Sequence, residues 1–244
     1  RRVPSQTRRR SCDVGTALID RLYREGDVFI AQGAGDLSHL APLCRKYPGA
    51  IKTYDVDLTD PAALELFVRD VAARYPTPTH LVHLPALRVV NTRFKNFDED
   101  RFERDMSVQI RSAVKLCKTF LPAMAKARQG RVLFMLTSYL LGAPPKNTAA
   151  YVMVKSTLQG LAKSLAADYA SFGVTVNCVM PSMMETKFLA DTSDLIVQAS
   201  AEANPMKRNA RVEDVVPAMA FLLSEEAGFI TGVTLPVTGG SAFL

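Results

Sequence analysis

The stretch RVLFMLTSYLLGAPPKNTAAYVMVK, residues 131–155, decides the architecture. Its first six residues, RVLFML, are a nearly continuous apolar run, the pattern of a strand covered on both faces. A Pro-Pro loop follows, then a helical segment over 151–171 in which Tyr151 and Lys155 stand four apart. Four residues is close to one helical turn, so the two side chains share a face. A buried strand that hands over to a helix is one half of a βαβ unit and calls for a parallel neighbour.

Outward from this stretch the same grammar repeats. Short apolar runs recur at VFIA (28–31), IKTYDV (51–56), HLVHL (80–84), VTVNCVM (174–180) and VTLPV (233–237). Helical patterns lie between them. Residues 14–25 put Val14, Leu18 and Leu22 on one face, and residues 61–74 do so with Leu64, Phe67, Val68 and Val71. Longer helices are expected over 100–127 and 151–171. The alternation predicts a doubly wound, Rossmann-type α/β domain: a parallel sheet of about seven strands, helices on both faces, and a ligand site beyond the carboxyl ends of the strands. No linker or repeat divides residues 1–244, so one domain is expected.

Composition excludes several classes. No apolar run approaches the roughly eighteen residues needed to span a bilayer, and the Arg-rich start lacks the apolar region of a secretory signal, so a cytoplasmic protein without membrane contact is expected. The net charge is +6, but Arg1, Arg2, Arg8, Arg9 and Arg10 supply most of it. A basic arm on a nearly neutral body is not a nucleic-acid-binding face. Cys12, Cys44, Cys117 and Cys178 are widely separated, which reads as reduced thiols, and the three histidines do not fall at metal-ligand intervals from them.

The Tyr151–Lys155 pair carries the chemistry. A phenol titrates near pH ~10, and a neighbouring ammonium favours the phenolate and brings that value down towards neutrality. Ser138, at the end of the RVLFMLTS strand, is expected at the ligand edge of the sheet, where its hydroxyl would orient the same oxygen that tyrosine protonates. The bland alternative is a half-buried tyrosine beside a solvated lysine.

The segment as a whole resembles the short-chain dehydrogenase/reductase family, in which Ser, Tyr and Lys at this spacing are the catalytic set. The resemblance extends along nearly the whole chain. DVDLTD (55–60) is similar to the acidic turn after the family's third strand, which implies that Asp57 contacts adenine. LVHLPA (81–86) occupies the place of its Asn-Asn-Ala-Gly stretch, with Ala86 beside the adenosine. GVTVNCVMPSMMET (173–186) resembles its Val-Asn-x-x-x-Pro-Gly strand and loop, placing Pro181 and Thr186 at the nicotinamide amide. FLPAM (120–124) and FLLSEEAGFITGVTLPVTGG (221–240) continue the likeness, and length and the latter segment bring the chain nearest the 3-oxoacyl-[acyl-carrier-protein] reductase type. The resemblance implies a carbonyl–alcohol oxidoreductase in which Tyr151 supplies the proton, Lys155 holds the nicotinamide ribose and Ser138 polarises the carbonyl. It also implies that helices 100–127 and 151–171 form a dimer or homotetramer interface.

Departures cluster on the cofactor side. The resemblance implies a first strand at PSQT (4–7), where a proline and the lack of an apolar pair make poor strand material. The family's Thr-Gly-x-x-x-Gly-x-Gly loop reads Arg8, Arg9, Arg10, Ser11, Cys12, Asp13, Val14 and Gly15, which retains the last glycine alone. Either the arginines hold pyrophosphate or a 2′-phosphate by charge, or the loop no longer binds nucleotide. Ser182 follows Pro181 where the family has Gly. Gln109 replaces the helix Asn that anchors a relay water to the lysine. His83 is read as a core residue without chemistry. No acid stands directly at the end of IAQGAGD (30–36), Asp36 coming a few residues on, and with the arginines this favours NADP(H) over NAD(H). Residues 183–210 take the position of the substrate loop, and their Met, Phe, Leu and Ile content suits an apolar or acyl group, with Lys187, Lys207 and Arg208 available to a carrier phosphate. Two functions stand: an NADP(H)-dependent reductase of a carbonyl substrate, small or carrier-linked, and a non-catalytic or cofactor-impaired subunit that keeps the fold for assembly.

Overall fold

The computed structural model describes residues 14–189 and 192–243. The expected strand at 4–7 and the loop residues Arg8, Arg9, Arg10, Ser11 and Asp13 lie outside them. In chain order the main elements are α1 (Val14–Leu22), β1 (Phe29–Gly33), α2 (Ala41–Lys46), β2 (Ile51–Asp55), α3 (Pro61–Arg74), β3 (His80–His83), α4 (Glu99–Met106), α5 (Ser112–Ala127), β4 (Gly130–Met135), α6 (Ala149–Tyr169), β5 (Val174–Pro181), α7 (Asp194–Ala203), α8 (Val212–Leu223) and β6 (Thr234–Val237).

Every strand pair is parallel. β1 lies beside β2 with Phe29 opposite Ile51, and β3, β4, β5 and β6 run side by side, with His80 opposite Arg131, Gly130 opposite Val174 and Cys178 opposite Thr234. Six strands therefore stand among the described residues rather than about seven, in one group of two and one of four.

The central strands bury both faces, and the two-residue period sorts their side chains. Val132 and Phe134 of β4, with Val176, Cys178 and Met180 of β5, pack with Phe67, Phe120, Leu121, Val154 and Leu158 of α3, α5 and α6. Leu133 and Val179 point the other way, onto Leu18 of α1 and Val215, Met219 and Leu222 of α8. Helices cover both faces, as the uninterrupted apolar runs require.

Local signals set the ends. Asp60 accepts from the backbone N–H groups of Ala62 and Ala63, with Pro61 at the first helical position of α3. Asp98 caps α4 through Arg101 N. Between α6 and β5 the chain turns at Gly173, φ +75°, where an added Cβ would come 2.5 Å from the carbonyl oxygen of Arg128. Only glycine fits there.

The helix expected over 100–127 is present, and one π turn, Ser107–Arg111, joins α4 to α5; in it the Ser112 N–H reaches back five residues to the Ser107 carbonyl. Such turns insert a residue into the helical count and are frequent at functional sites. Residues 183–210 contain α7.

Candidate active site

The carboxyl ends of β3 and β4 open on a cavity of about 1980 Å³. Gly15, Asp57, Ala86, Tyr151, Lys155, Pro181 and Thr186 all line it. Seven positions drawn from five separate segments of sequence thus converge on one space. The cavity also runs between β1 and β3, where Phe29, Ile30, Leu81 and Val82 form part of its wall.

Lys155 is buried, 2% exposed, and its Nζ donates to the Met135 carbonyl at 2.8 Å. Burial pushes its ammonium down from 10.5 to about 8, while the negative charge of Asp105 works in the opposite direction. Nζ stands 5.8 Å from the centroid of the Tyr151 ring.

Tyr151 differs from expectation. Its phenol is raised above the ordinary tyrosine value, not lowered, because burial of the group is the largest influence; a hydrogen bond with Thr137 opposes it, and Tyr139 and Asp105 add to the rise. Lys155 does not offset that rise: its Nζ is directed to the Met135 carbonyl. Tyr139 meets the Tyr151 ring edge-on, 5.9 Å between centroids at 82°, and so fixes its orientation.

Thr137, whose Oγ1 accepts from the Tyr139 N–H at 3.3 Å, is the hydroxyl residue that lowers the pKa of the Tyr151 phenol against the effect of burial. Ser138 opens a short 3₁₀ turn, Ser138–Leu140, and is half-buried. Among the described residues that line the cavity Thr137 and Tyr139 are present and Ser138 is not.

Gln109 lies in the π turn, fully buried, and its Nε2 donates to Asp105 Oδ1 at 2.6 Å; its Oε1 is buried without a partner. His83, at the end of β3, bonds through Nε2 to Ser112 Oγ at 2.9 Å, whose own proton goes to the Val108 carbonyl at 2.5 Å. The imidazole is thus the Nε2–H tautomer, and burial, helped by the Lys155 charge, lowers its pKa to about 3. Its Nδ1 has no partner. Sequence reasoning took this histidine as satisfied, and the structure shows it half so.

Nucleotide-side geometry is mixed. Asp57 Oδ1 accepts from Thr59 N and Oγ1, both at 2.8 Å, which holds its carboxyl below the usual range. Beyond β1, Asp36 accepts from Ser38 N and Oγ within the turn, and Asp55, the last residue of β2, accepts from Gly35 N. Thr16 and Ser182 line the cavity with hydroxyl oxygens that are buried and without protein partners. Unused polar groups in a cleft this size fit a polar, elongated ligand such as a dinucleotide.

In the 183–210 segment Met183, Met184, Phe188 and Leu189 face the cavity. The cations nearby have other duties. Lys207 Nζ donates to the Glu202 carbonyl, and Arg208 forms a two-pronged ion pair with Asp214. Asp105, Thr137 and Tyr139 were not singled out in the sequence. The available signal for Asp105 was position: with Phe102, Gln109 and Ala113 it falls on the buried stripe of its helix.

A family model described as enoyl-(acyl carrier protein) reductase matches residues 13–242. The 3-oxoacyl-[acyl-carrier-protein] reductase FabG of Escherichia coli (strain K12) is 31% identical over 228 residues, 93% of this chain and 92% of the relative. A solved structure described as a short chain dehydrogenase/reductase family protein superposes with a TM-score of 0.80 at 25% identity, covering 93% of this chain and 92% of its own. The fold is also that of the gluconate 5-dehydrogenase from Burkholderia cenocepacia J2315 in complex with NADP and tartrate, with a TM-score of 0.83, 21% identity, and 94% and 91% of the two chains covered. These relatives differ in the reaction they carry out while the scaffold is shared, and a match across nearly every described element leaves one conclusion: this chain belongs to the short-chain dehydrogenase/reductase family of oxidoreductases.

Proposed function

We propose that the protein is an NADP(H)-dependent reductase that interconverts a carbonyl and a secondary alcohol on an acyl-type substrate. The observation that carries this reading is the Tyr151–Lys155 pair, placed one turn apart on α6 in the wall of the 1980 Å³ cavity. Bound nicotinamide would supply the hydride that reaches the carbonyl carbon. Tyr151 gives its phenolic proton to the carbonyl oxygen, so its O–H bond breaks as that of the alcohol forms. Its raised pKa means that the proton is present at neutral pH. Thr137 works against the rise in the phenol's pKa, and Ser138 is assigned to the carbonyl by family resemblance.

The residues that would hold the cofactor are Lys155 and Tyr151 at the nicotinamide ribose, Pro181 and Thr186 at the amide, Asp57 and Ala86 at the adenosine, and Gly15 at the start of α1. Arg8, Arg9, Arg10, Ser11 and Asp13 are assigned to the phosphates. Preference for NADP(H) is supported by the turn after β1, whose Asp36 lies beyond the strand end and already accepts from the Ser38 N–H, so that it is not set to grip a ribose 2′-hydroxyl. An acyl substrate is supported by the Met and Phe wall of residues 183–189 and by the similarity to FabG, a 3-oxoacyl-[acyl-carrier-protein] reductase.

Assembly as a homotetramer or dimer belongs to the same reading. Val114 on α5 and Met153 on α6 are 43% and 45% exposed, apolar positions that a second copy would cover. Light scattering tests this, and a stable monomer of 26.7 kDa at micromolar concentration counts against it.

Calorimetric titration with NADPH and NADH, followed by an acetoacetyl-thioester reduction assay, decides the function. Tighter binding of NADPH with turnover of the thioester is the expected result. A folded protein that binds neither nucleotide at millimolar concentration would overturn the reading and leave the non-catalytic subunit in its place.

A further inference from the structure

Helix α4 carries an acid into the interior. Asp105 is 8% exposed, and its Oδ1 accepts from Gln109 Nε2 at 2.6 Å and, at 3.3 Å, from the Leu87 N–H. A carboxylate has no donor to offer, so Gln109 must turn its NH₂ group towards it. The amide is then fixed: its oxygen points away from Asp105, buried and without a protein partner. The π turn that carries Gln109 packs against α6, the helix of Tyr151 and Lys155.

The charge of Asp105 has its own consequence. Groups that face Lys155 come from four elements: Asp105 on α4, Tyr151 on α6 itself, His83 on β3 and Cys178 on β5, with the Met135 carbonyl of β4 as its hydrogen-bond acceptor. Burial leaves the Cys178 thiol at about 12 and the His83 imidazole at about 3, so both are neutral at physiological pH, and the Tyr151 phenol is raised. Asp105 is the one carboxylate among the described residues that acts on the buried ammonium. A buried ammonium without a counter-charge is costly, which makes this placement consequential.

We propose that Asp105 is a positioning residue of the catalytic site: its carboxylate locks the Gln109 amide with Oε1 left open as an acceptor, and it is the counter-charge of the Lys155 ammonium. Gln109 alone could present either end of its amide. Asp105 removes that choice, and it does so with the same oxygen-rich group that balances the lysine. The inference rests on Tyr151 and Lys155 being the proton-transfer pair, but its test does not require turnover.

The test follows the Lys155 side-chain NMR resonance against pH in the cofactor-free full chain, assigned by its loss in Lys155→Met. Asp105→Asn keeps the shape and an acceptor oxygen while removing the charge, and Asp105→Glu restores the charge. The expected result is a Lys155 midpoint lower by about one pH unit, a tenfold loss of proton affinity, in Asp105→Asn and a return towards wild type in Asp105→Glu. In turnover assays the alkaline limb of kcat should move with that midpoint while KM changes little. Should Asp105→Asn fail to fold, Asp105→Ser serves as the uncharged variant. A folded uncharged variant whose Lys155 midpoint stays at the wild-type value overturns the proposal, even if its stability falls, since a purely structural role predicts that pattern. A shifted midpoint in a protein that reduces no carbonyl would uphold Asp105 as the counter-charge and sink the functional reading instead.

Discussion

Lys155 donates to the main-chain carbonyl of Met135, the last residue of β4, at 2.8 Å, which ties α6 to the catalytic end of the sheet through a buried charge. Its ammonium is disfavoured in that position and titrates at about 8 instead of 10.5. A base with a lowered folded-state pKa binds its proton more readily when unfolded, so stability rises with pH across the interval between the two values. The gain from pH 8 to 10.5 is about 3 kcal/mol for this one group. Denaturant titrations of wild type and Lys155→Met at a series of pH values should show their stability difference change by that amount, with Lys155→Met inactive throughout. A difference independent of pH would mean that the lysine is not held as described.

His83 gives the mirror experiment on the acid side. Its imidazole protonates at about 3 when folded and near 6.5 when unfolded, so stability is full above pH 6.5 and drains as pH falls towards 3. The slope is about 1.4 kcal/mol per pH unit for one proton. His80, also lowered by burial, adds in the same direction. His83→Asn should flatten the acid limb relative to wild type. An unchanged slope would show that His83 accepts a proton in the folded protein.

Tyr151→Phe should keep the fold and most of the NADPH affinity while turnover falls by about a hundredfold or more, the usual worth of a general acid. Thr137→Val provides the finer test. Its hydroxyl lowers the Tyr151 pKa, so its removal should move the rising, acid-side limb of the alcohol-oxidation profile, where Tyr151 must be deprotonated to act as base, to higher pH. Ser138→Ala should cut kcat without moving that limb. Equal limb shifts in both variants would contradict the distinct placements of the two hydroxyls.

Arg8, Arg9 and Arg10 decide whether the altered loop was repurposed or lost. Charge-assisted hydrogen bonds contribute about 1.5–3 kcal/mol each, so replacement of all three by Ala should weaken NADPH binding by orders of magnitude, and wild-type binding should fall steeply with salt. Glycine at positions 8 to 10 separates the cases. A repurposed loop loses affinity in that variant, whereas a ruined one gains it.

Strands and long helices were legible because they bury surface. RVLFML and VTVNCVM have no polar face to present, and each became a strand with core on both sides. The helix over 61–74 announced itself by four apolar residues, Leu64, Phe67, Val68 and Val71, on one stripe. What stayed hidden was short or depended on distant partners. The six residues of α2 are less than two turns, too few for periodicity to show. Tyr151 and Lys155 could be paired by counting, but the direction of the tyrosine's pKa could not, because it turns on the burial of the phenol in the folded chain. Asp105 looked like one more charge on a charged helix until its helix packed against α6.

The π turn at Ser107–Arg111 sets an angular phase. Each helical residue advances the side-chain direction by about 100°, and the extra residue in this turn offsets the face of α4 that carries Asp105 from the face of α5 that carries Cys117, Phe120, Leu121 and Met124. Substitution within the turn leaves that offset in place. Deletion of a single residue there, Val108 for example, would restore an ordinary helical count, and the whole of α5 would have to rotate by about 100° against α3 or drag α4 around with it. A tolerant spelling and an intolerant length are what this joint imposes on the chain.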